Sequence, residues 1–490
     1  MKPLLIDEVK QALRAKLKTE LKKGLITGVR TDSRQVKAGE LFVALRGEHF
    51  DGHEFLEQAI ANGARAIVVD RNVPVPPSAK NGMVSILKVD DCVEALGSLA
   101  RFYRRQLLRS VRVIAVTGSN GKTTTREMIY HTLSKYKKGH RSPHNFNNAV
   151  GVPLTLFGIE PDHEFVVVEI GTNSRGEVGA LSRIVEPDVA VITHVGPTHL
   201  EGLGDIDGVS VEKVSIVAGL RDHGVVVCGM EHEGTLERLQ ALGQPLITFG
   251  VNPAADVCAQ KVVWEQGRLS FETNDGCPVH LPMGGVHNVK NALAALAVSR
   301  RLGLTNQQVA YALADFAAVQ GRMHYHNVNN IVIIDDSYNA NPASMDAALT
   351  ELCQHRQAGR RILVCGDMCE LGDASEAYHR ALGEKVASAS VDLLLTVGPQ
   401  AALTASAALE SGMGKSRVQR AVSSKRLARL IKSMIRDEDV ILVKGSRAME
   451  LEQVVEALKR YRGGRPRVAR MGVGQSVPHA PAARKVKLQV

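Results

Sequence analysis

The sequence predicts an α/β protein of three domains: a small α/β N-terminal domain, a central doubly wound domain with a mostly parallel sheet, and a C-terminal Rossmann-like α/β domain. Three observations predict it. The chain has 490 residues, which at about 100–200 residues per domain suggests about three. Short apolar runs of buried-strand type recur along it. Helical stretches or loops separate the runs, which is the rhythm of a parallel sheet covered on both faces.

Residues 1–108 form the first block, with strands expected at 41–47 and 64–70 and a helix over 95–108 leading out. The second block, 109–317, opens on the run VRVIAVTG at 111–118. It continues through apolar runs at 164–171, 188–196 and 224–229 and ends in the helical segment 286–303. The third block, 318–461, holds runs at 329–339, 360–368, 391–398 and 439–446. No fixed-period repeat is present.

The formal charge is +10, but its position matters more than its size. Residues 462–490 carry Arg462, Arg465, Arg467, Arg470, Arg484, Lys485 and Lys487 and no acid, leaving about +3 for the body. A basic Gly/Pro/Ala-rich end with little to bury reads as a disordered tail, or else as a polyanion contact. A nucleic-acid-binding protein would need a basic face in the body, and none is apparent. Aromatics make up 4% of the chain, too few for a base-stacking platform.

Seven scattered cysteines, an odd number with no Cys-x-x-Cys pair, fit reduced thiols rather than a disulfide framework or a zinc site. The start of the chain, MKPLLIDEVKQALRAK, has acids and a helical period but no apolar leader. No apolar run approaches the length of a membrane span. These features predict a cytoplasmic protein without membrane insertion.

The strongest local signal is Thr117-Gly118-Ser119-Asn120-Gly121-Lys122-Thr123-Thr124, after a strand and before the helical segment REMIYHTLSKY. That is the context of a phosphate-binding loop, or P-loop, and it makes the central domain a P-loop ATPase domain. Glycines let the backbone wrap a polyphosphate, successive N–H groups form an anion nest, and the helix end adds its dipole. Lys122 is placed to reach the terminal phosphates and Thr123 to ligate Mg2+. The generic pattern has four residues between its glycines. Here Gly118 and Gly121 have two between them, with Val116 at the earlier glycine's position. The shortened form disfavours an ordinary GTPase or motor.

Ligands of doubly wound sheets bind outside the carboxyl ends of the strands. Glu169 ends one strand and His199 follows the next, so Thr123, Glu169 and His199 are candidates to hold a magnesium ion beside a triphosphate. Taken singly, Glu169 is also readable as a strand-end surface acid and His199 as a satisfied loop histidine. Lys213, in the helical stretch GVSVEKVSIVAGL, reads by itself as a surface lysine.

Ordered motifs across residues 25–460 resemble the Mur ligases, the ATP-dependent amide-forming enzymes of peptidoglycan precursor synthesis. Within that family they resemble most the branch that adds D-alanyl-D-alanine. The motifs are TDSRQVKAGELFVALRGEHFDGHEF (31–55), TGSNGKTTTREM (117–128), HNFNNAVGVPLTL (144–156), EIGTNSRGEV (169–178) and THLEGLG (198–204). They continue with GVHNVKNALAALAV (285–298), GRM (321–323), DDSYNANPASMDAAL (335–349), GDMCELG (366–372) and LVKGSRAMELEQVV (442–455). SYNANP and GDM-x-ELG are the strings specific to that branch. The Asp-Asn-Pro-Arg string typical of the diaminopimelate-adding sister is absent. The alternative within the family is a sister ligase adding a single amino acid.

The resemblance implies roles. ATP and two Mg2+ ions are the cofactors. UDP-N-acetylmuramoyl-tripeptide and D-alanyl-D-alanine are the partners, no nucleic acid is expected, and the protein is a monomer. Lys122, His199 and Lys213 are catalytic. Gly118, Ser119, Asn120, Gly121, Lys122, Thr123 and Thr124 cradle the phosphates, while Asn288, Asn291, Arg322 and Asp336 serve the adenine and ribose side. Thr123, Glu169, His199 and Lys213 hold metal, with Lys213 carbamylated. Its surroundings, Val-Glu-Lys213-Val-Ser, have serine where the family often has an acid. Ser33 and Arg34 lie near the uridine end. Asn145, Asn147 and Asn148 contact the growing peptide, and Tyr338, Asn339 and Asn341 place the dipeptide. For Asn339 and Asn341 the other reading is turn chemistry before Pro342.

Overall fold

The computed structural model describes residues 1–19, 24–79, 83–265, 267–355 and 359–461; the basic end at 462–490 lies outside them. The expected apolar runs are the strands of three main sheets. In the first, Val29–Arg30, Leu41–Val43, Ala66–Val69 and Ser85–Lys88 run parallel, and Lys16–Thr19 closes one edge antiparallel. Helix Cys92–Leu107 then leads out. It starts where the Asp91 carboxylate accepts the Val93 and Glu94 N–H groups at 2.7 and 2.8 Å, a side-chain N-cap.

The second sheet has nine strands. Arg112–Thr117 pairs in parallel with Phe165–Glu169 on one side and Val189–Ile192 on the other. The strand order therefore reverses beside the end of Arg112–Thr117, the point where open α/β sheets form a ligand crevice. Val113 and Ala115 face one core with Leu96, Leu99 and Tyr103. Ile114 and Val116 face the other with Met128, Ile129, Leu293 and Leu296. Alternate residues of one strand thus feed two cores, which is why the run is apolar throughout. At about 1.5–3 kcal/mol per fully buried aliphatic side chain, this strand is held from both faces.

The far edge of the sheet departs from the parallel rule. Val257–Glu265, Arg268–Thr273 and Pro278–Leu281 form an antiparallel meander. Arg268–Thr273 and Pro278–Leu281 alternate buried with more exposed residues, because one face is wet, and Val257–Glu265 carries polar residues after its buried start, so no long apolar run marks them. The third sheet pairs Ile331–Asp336, Val440–Lys444, Arg361–Gly366, Leu393–Val397 and Val418–Ala421 in parallel, with His324–Val328 antiparallel at one edge. Among the described residues no helix is long and apolar enough to cross a membrane.

The first sheet and the central one share a hydrophobic core, and Arg104 ties them together. Its guanidinium is 2% exposed. It donates to the carbonyls of Val185 (3.0 Å), Leu108 (2.5 Å), Val111 (3.2 Å) and Glu186 (3.1 Å) and to the Asp188 carboxylate (3.0 Å). Burial lowers its pKa to about 10, with Asp188 opposing, so it stays charged at neutral pH. Replacing Arg104 by Leu strips four carbonyls of their donor. Urea denaturation is expected to show a loss of about 2–4 kcal/mol, and an unchanged midpoint would contradict this role.

Candidate active site

The loop after Arg112–Thr117 is built on two glycines with left-handed backbone, Gly118 at φ 144° and Gly121 at φ 82°. Neighbours fill the space a side chain would need. A Cβ on Gly118 would fall on Thr193 Oγ1, and one on Gly121 would fall on Asn291 Oδ1. Thr193 Oγ1 donates to the carbonyls of Thr117 (3.1 Å) and Asn120 (2.5 Å). Ser119 Oγ donates to the Gly196 carbonyl at 2.8 Å and accepts the Gly196 N–H at 3.1 Å. The loop is thus pinned by the exit of the next strand, a support the motif itself does not reveal.

Lys122 opens helix Lys122–Ser134 and folds back over the loop, donating to the Gly118 carbonyl at 2.6 Å. Desolvation brings its ammonium down to about 8; Glu169 and Glu370 oppose this and Arg322 adds to it. Thr123 follows, and its hydroxyl donates to Glu169 Oε2 at 3.0 Å. Glu169 is 2% exposed. It also accepts from Arg126 Nη1 and Asn147 Nδ2, each at 3.0 Å. Arg126 is the partner that sequence reading missed. It lies three residues after Thr123, on the same face of the helix.

His199 sits in left-handed backbone at φ 53°, and its Nδ1 pairs with the Glu370 carboxylate of the C-terminal sheet's loop. That pairing, above all its hydrogen bond, lowers the Glu370 carboxyl from its ordinary value. Glu370 was not among the expected site residues, although it lies inside GDMCELG.

Lys213 corrects the reading of a surface lysine. It lies on helix Ile206–Val214, is 0% exposed, and its Nζ has no hydrogen-bond partner among the described residues. Burial pushes its ammonium well below the ordinary value, and Lys122 repels it further, while Glu212 and Glu177 oppose. The adjacent Glu212 is occupied elsewhere, accepting the N–H groups of Gly176 (2.6 Å) and Val178 (2.7 Å).

A cavity of about 460 Å³ gathers Lys122, Glu169, His199, Arg322, Tyr338, Asn339 and Glu370, with Asn145, Asn147 and Asn148 on its wall. Arg322 lies over the Tyr338 ring, 4.1 Å from its centroid, a cation–π contact. A larger cavity of about 1160 Å³ continues along helix Lys122–Ser134, past Arg126, Arg141, Asp315 and Arg447.

Other expected residues are placed differently. Asn288 donates to the Gly284 carbonyl at 2.7 Å and accepts from Asn291 at 2.9 Å, while Asn291 accepts from Thr125 at 3.1 Å. Both amides thus brace the phosphate loop from within. Asp336 accepts from the buried Lys444 at 2.6 Å, another partner not foreseen. Asn341 caps helix Pro342–Gln354 by accepting the Ser344 N–H at 2.9 Å, so the turn-chemistry reading holds. Its amide also reaches across the seam: Nδ2 donates to Asn120 Oδ1 at 2.8 Å and Oδ1 accepts from Asn120 Nδ2 at 3.2 Å. Asn148 caps a short helix at the Gly151 N–H, 2.9 Å away. In the N-terminal sheet Ser33 turns inward to Gln58 at 2.6 Å, and Arg34 is exposed and bound to Asp32. The cavity of about 470 Å³ beside them is lined instead by Arg30, Thr31, Asp32 and Gln35.

A phosphate loop at a sheet's switch point, facing a second α/β unit across a polar cleft, defines a nucleotide-dependent enzyme whose chemistry occurs at the seam. Residues 25–104 match the Mur ligase family catalytic domain, 116–299 the Mur ligase middle domain, and 321–447 the Mur ligase glutamate ligase domain. The chain belongs to the Mur ligase family. It is 37% identical over 438 residues to the UDP-N-acetylmuramoyl-tripeptide--D-alanyl-D-alanine ligase of Bacillus subtilis, covering 89% of this chain and 93% of that protein. It is 37% identical over 442 residues to the ligase of the same name in Escherichia coli, covering 89% and 94%. Among solved structures, MurF of Acinetobacter baumannii superposes with a TM-score of 0.84 at 33% identity, covering 94% of this chain and 99% of that one. MurF of Thermotoga maritima, solved with ADP, gives 0.78 at 28% identity, covering 89% and 97%.

Lys122 makes nucleotide affinity depend on pH. A bound polyphosphate holds the protonated amine, while in the free protein that amine loses its proton as pH rises through about 8. Calorimetric titration with Mg-ADP is expected to show affinity flat below that value. Above it, affinity falls by up to about tenfold per pH unit, with proton uptake on binding. The pH dependence vanishes in Lys122→Met, and a flat wild-type profile would exclude the mechanism.

Proposed function

We propose that this protein is an ATP-dependent, ADP-forming amide ligase that adds D-alanyl-D-alanine to UDP-N-acetylmuramoyl-tripeptide. The product is the pentapeptide precursor of peptidoglycan. The observation that carries the reading is the meeting of the phosphate loop with the DDSYNANP segment through Asn120 and Asn341. That meeting sets the branch-specific string beside the phosphate loop. The relatives named for this reaction support it over about nine-tenths of the chain. The proposed division is 1–108 for the UDP-precursor, 109–317 for ATP and 318–461 for the incoming dipeptide.

The γ-phosphoryl of ATP passes to the tripeptide's terminal carboxylate, and the dipeptide amine then attacks the acyl phosphate and displaces phosphate. Carboxylate and triphosphate repel each other, so the site must neutralise both. Lys122 does so from the loop, and Arg322 lines the same cavity. Magnesium, when bound, supplies the remaining positive charge. Its holders would be Thr123, Glu169 and His199. The Thr123 and Glu169 oxygens already converge, and the buried carboxylate offers the hard donor such an ion takes. Asn147 fixes the free orientation of Glu169, and Arg126 restrains its charge.

Lys213 fits carbamylation. Carbon dioxide adds only to a neutral amine; burial lowers this ammonium well below its ordinary value, which favours that form, and its Nζ has no acceptor among the described residues. The resulting carbamate would be an anion for a second magnesium. Asn145 and Asn148 on the cavity wall would meet the peptide, Tyr338 and Asn339 the dipeptide, and Asn288, Asn291 and Asp336 would shape the nucleotide side. Ser33 and Arg34 would flank the uridine end.

Phosphate release is expected only when ATP, magnesium, the UDP-tripeptide and D-alanyl-D-alanine are all present, and is expected to be abolished in Lys122→Ala. Release with a single amino acid and a shorter precursor, but not with the dipeptide, would reassign the protein to a sister ligase. A second experiment addresses Lys213. Carbon-13 NMR of protein in labelled bicarbonate is expected to show one carbamate resonance that is lost in Lys213→Ala. Added formate or acetate should restore part of that variant's turnover. No carbamate signal in active wild-type protein would remove Lys213 from the metal set.

A further inference from the structure

Helix Pro342–Gln354 belongs to the C-terminal unit but touches the central unit at two separate points. At its start, Asn341 exchanges amide hydrogen bonds with Asn120. Ten residues on, about 15 Å along the axis, Glu351 points across the seam. Glu351 is a carboxylate only 2% exposed. Its Oε1 accepts from Trp264 Nε1 at 2.9 Å and from the Tyr325 hydroxyl. Its Oε2 accepts the Gly285 N–H at 2.8 Å. Trp264 and Gly285 are central-unit residues; Tyr325 lies on the antiparallel edge strand of the C-terminal sheet. The His355 ring closes the surround, stacked on Tyr325 and edge-on to Trp264, 6.1 Å between centroids in each case.

All three donors are uncharged, so a buried carboxylate is held here by hydrogen bonds alone. Such an arrangement is costly unless each acceptor is used. The packing leaves no slack either: a Cβ on Gly284 would fall on Glu351 Oε1 and close to the Tyr325 ring. Gly284 and Gly285 precede Asn288, which donates to the Gly284 carbonyl and accepts from Asn291. Asn291 in turn occupies the space beside Gly121 of the phosphate loop. A continuous set of contacts therefore runs from Glu351 to the loop that holds the nucleotide.

We infer that Glu351 is a positioning residue. It latches the C-terminal unit to the Gly284–Asn288 loop and so presets the nucleotide seam before any nucleotide binds. The inference rests on the ligase reading for its purpose but not for its test. Trp264 is the chain's one tryptophan, so the latch reports on itself through indole fluorescence.

In nucleotide-free protein, Glu351→Ala is expected to red-shift the Trp264 emission, raise its quenching by acrylamide and enlarge the radius of gyration in X-ray scattering. By calorimetry its affinity for Mg-ATP is expected to fall roughly tenfold, the scale of one lost charge-assisted hydrogen bond. In turnover the KM for ATP rises by a similar factor, while kcat at saturating ATP stays within about twofold. Glu351→Gln separates the two halves of the latch. Its carbonyl oxygen can still accept from Trp264 and Tyr325, but its NH2 group faces the Gly285 N–H. It should keep near-native fluorescence and still lose ATP affinity. If Glu351→Ala does not fold, Glu351→Gln carries the test.

Wild-type quenching, radius and ATP affinity in a folded Glu351 variant would overturn the proposal. So would a fall in kcat with an unchanged KM for ATP. Fluorescence, scattering and ATP binding need no turnover, so they remain decisive even if D-alanyl-D-alanine proves to be the wrong acceptor.

Discussion

A loop that wraps a polyphosphate offers backbone N–H groups to its ligand, so much of its shape has to come from groups outside it. Here Gly118 and Gly121 take left-handed backbone, and the shape is imposed from outside by three elements. Thr193 and Gly196 press from the end of the neighbouring strand, Asn291 from helix His287–Arg301, and Asn341 from the C-terminal unit. Removing any one would leave space the loop could collapse into. The seam between the central and C-terminal units is therefore one of the supports of the phosphate loop.

The same constraint orders the charges around it. Glu169 and Lys213 are both buried, and they solve burial in opposite ways. Glu169 has its oxygens taken up by Thr123, Arg126 and Asn147. Lys213 has no acceptor, and burial works against its charge. One carboxylate is fully hydrogen-bonded, and the other side chain is an amine whose protonated form burial disfavours. Lys122 stands between the two cases, its ammonium brought down to about 8 in the absence of phosphate. A polyphosphate bound beside it would favour its protonated form.

Much of this was legible in the sequence, and the physical reason is burial on two faces. The strands at 111–118, 164–171, 188–196 and 439–446 read as unbroken apolar runs because each feeds a core on both sides. The phosphate loop was legible because its chemistry is local, with glycines, lysine and threonine in consecutive register. The meander at 257–281 was not, because Arg268–Thr273 and Pro278–Leu281 alternate with one wet face and Val257–Glu265 turns polar after three buried residues. Arg126, Glu370, Lys444 and Glu351 were not, because each matters through a partner far away in sequence. Lys213 read as a surface lysine on its own merits, and only the packing of helix Ile206–Val214 makes it buried. Ser33 and Asn148 read as recognition residues from the motifs they stand in; that Ser33 also bonds Gln58 and Asn148 a helix N–H is set by the fold and was not legible.

In the proposed reaction the carboxylate is activated by phosphorylation in this cleft before the amine attacks. The most direct measurement places oxygen-18 in the terminal carboxylate of UDP-N-acetylmuramoyl-tripeptide and reads the phosphate released during ligation to D-alanyl-D-alanine by mass spectrometry. One labelled oxygen is expected in each phosphate formed, carried there through the acyl phosphate. Ligation with unlabelled phosphate would contradict it and would mean that the cleft activates its substrate by another route.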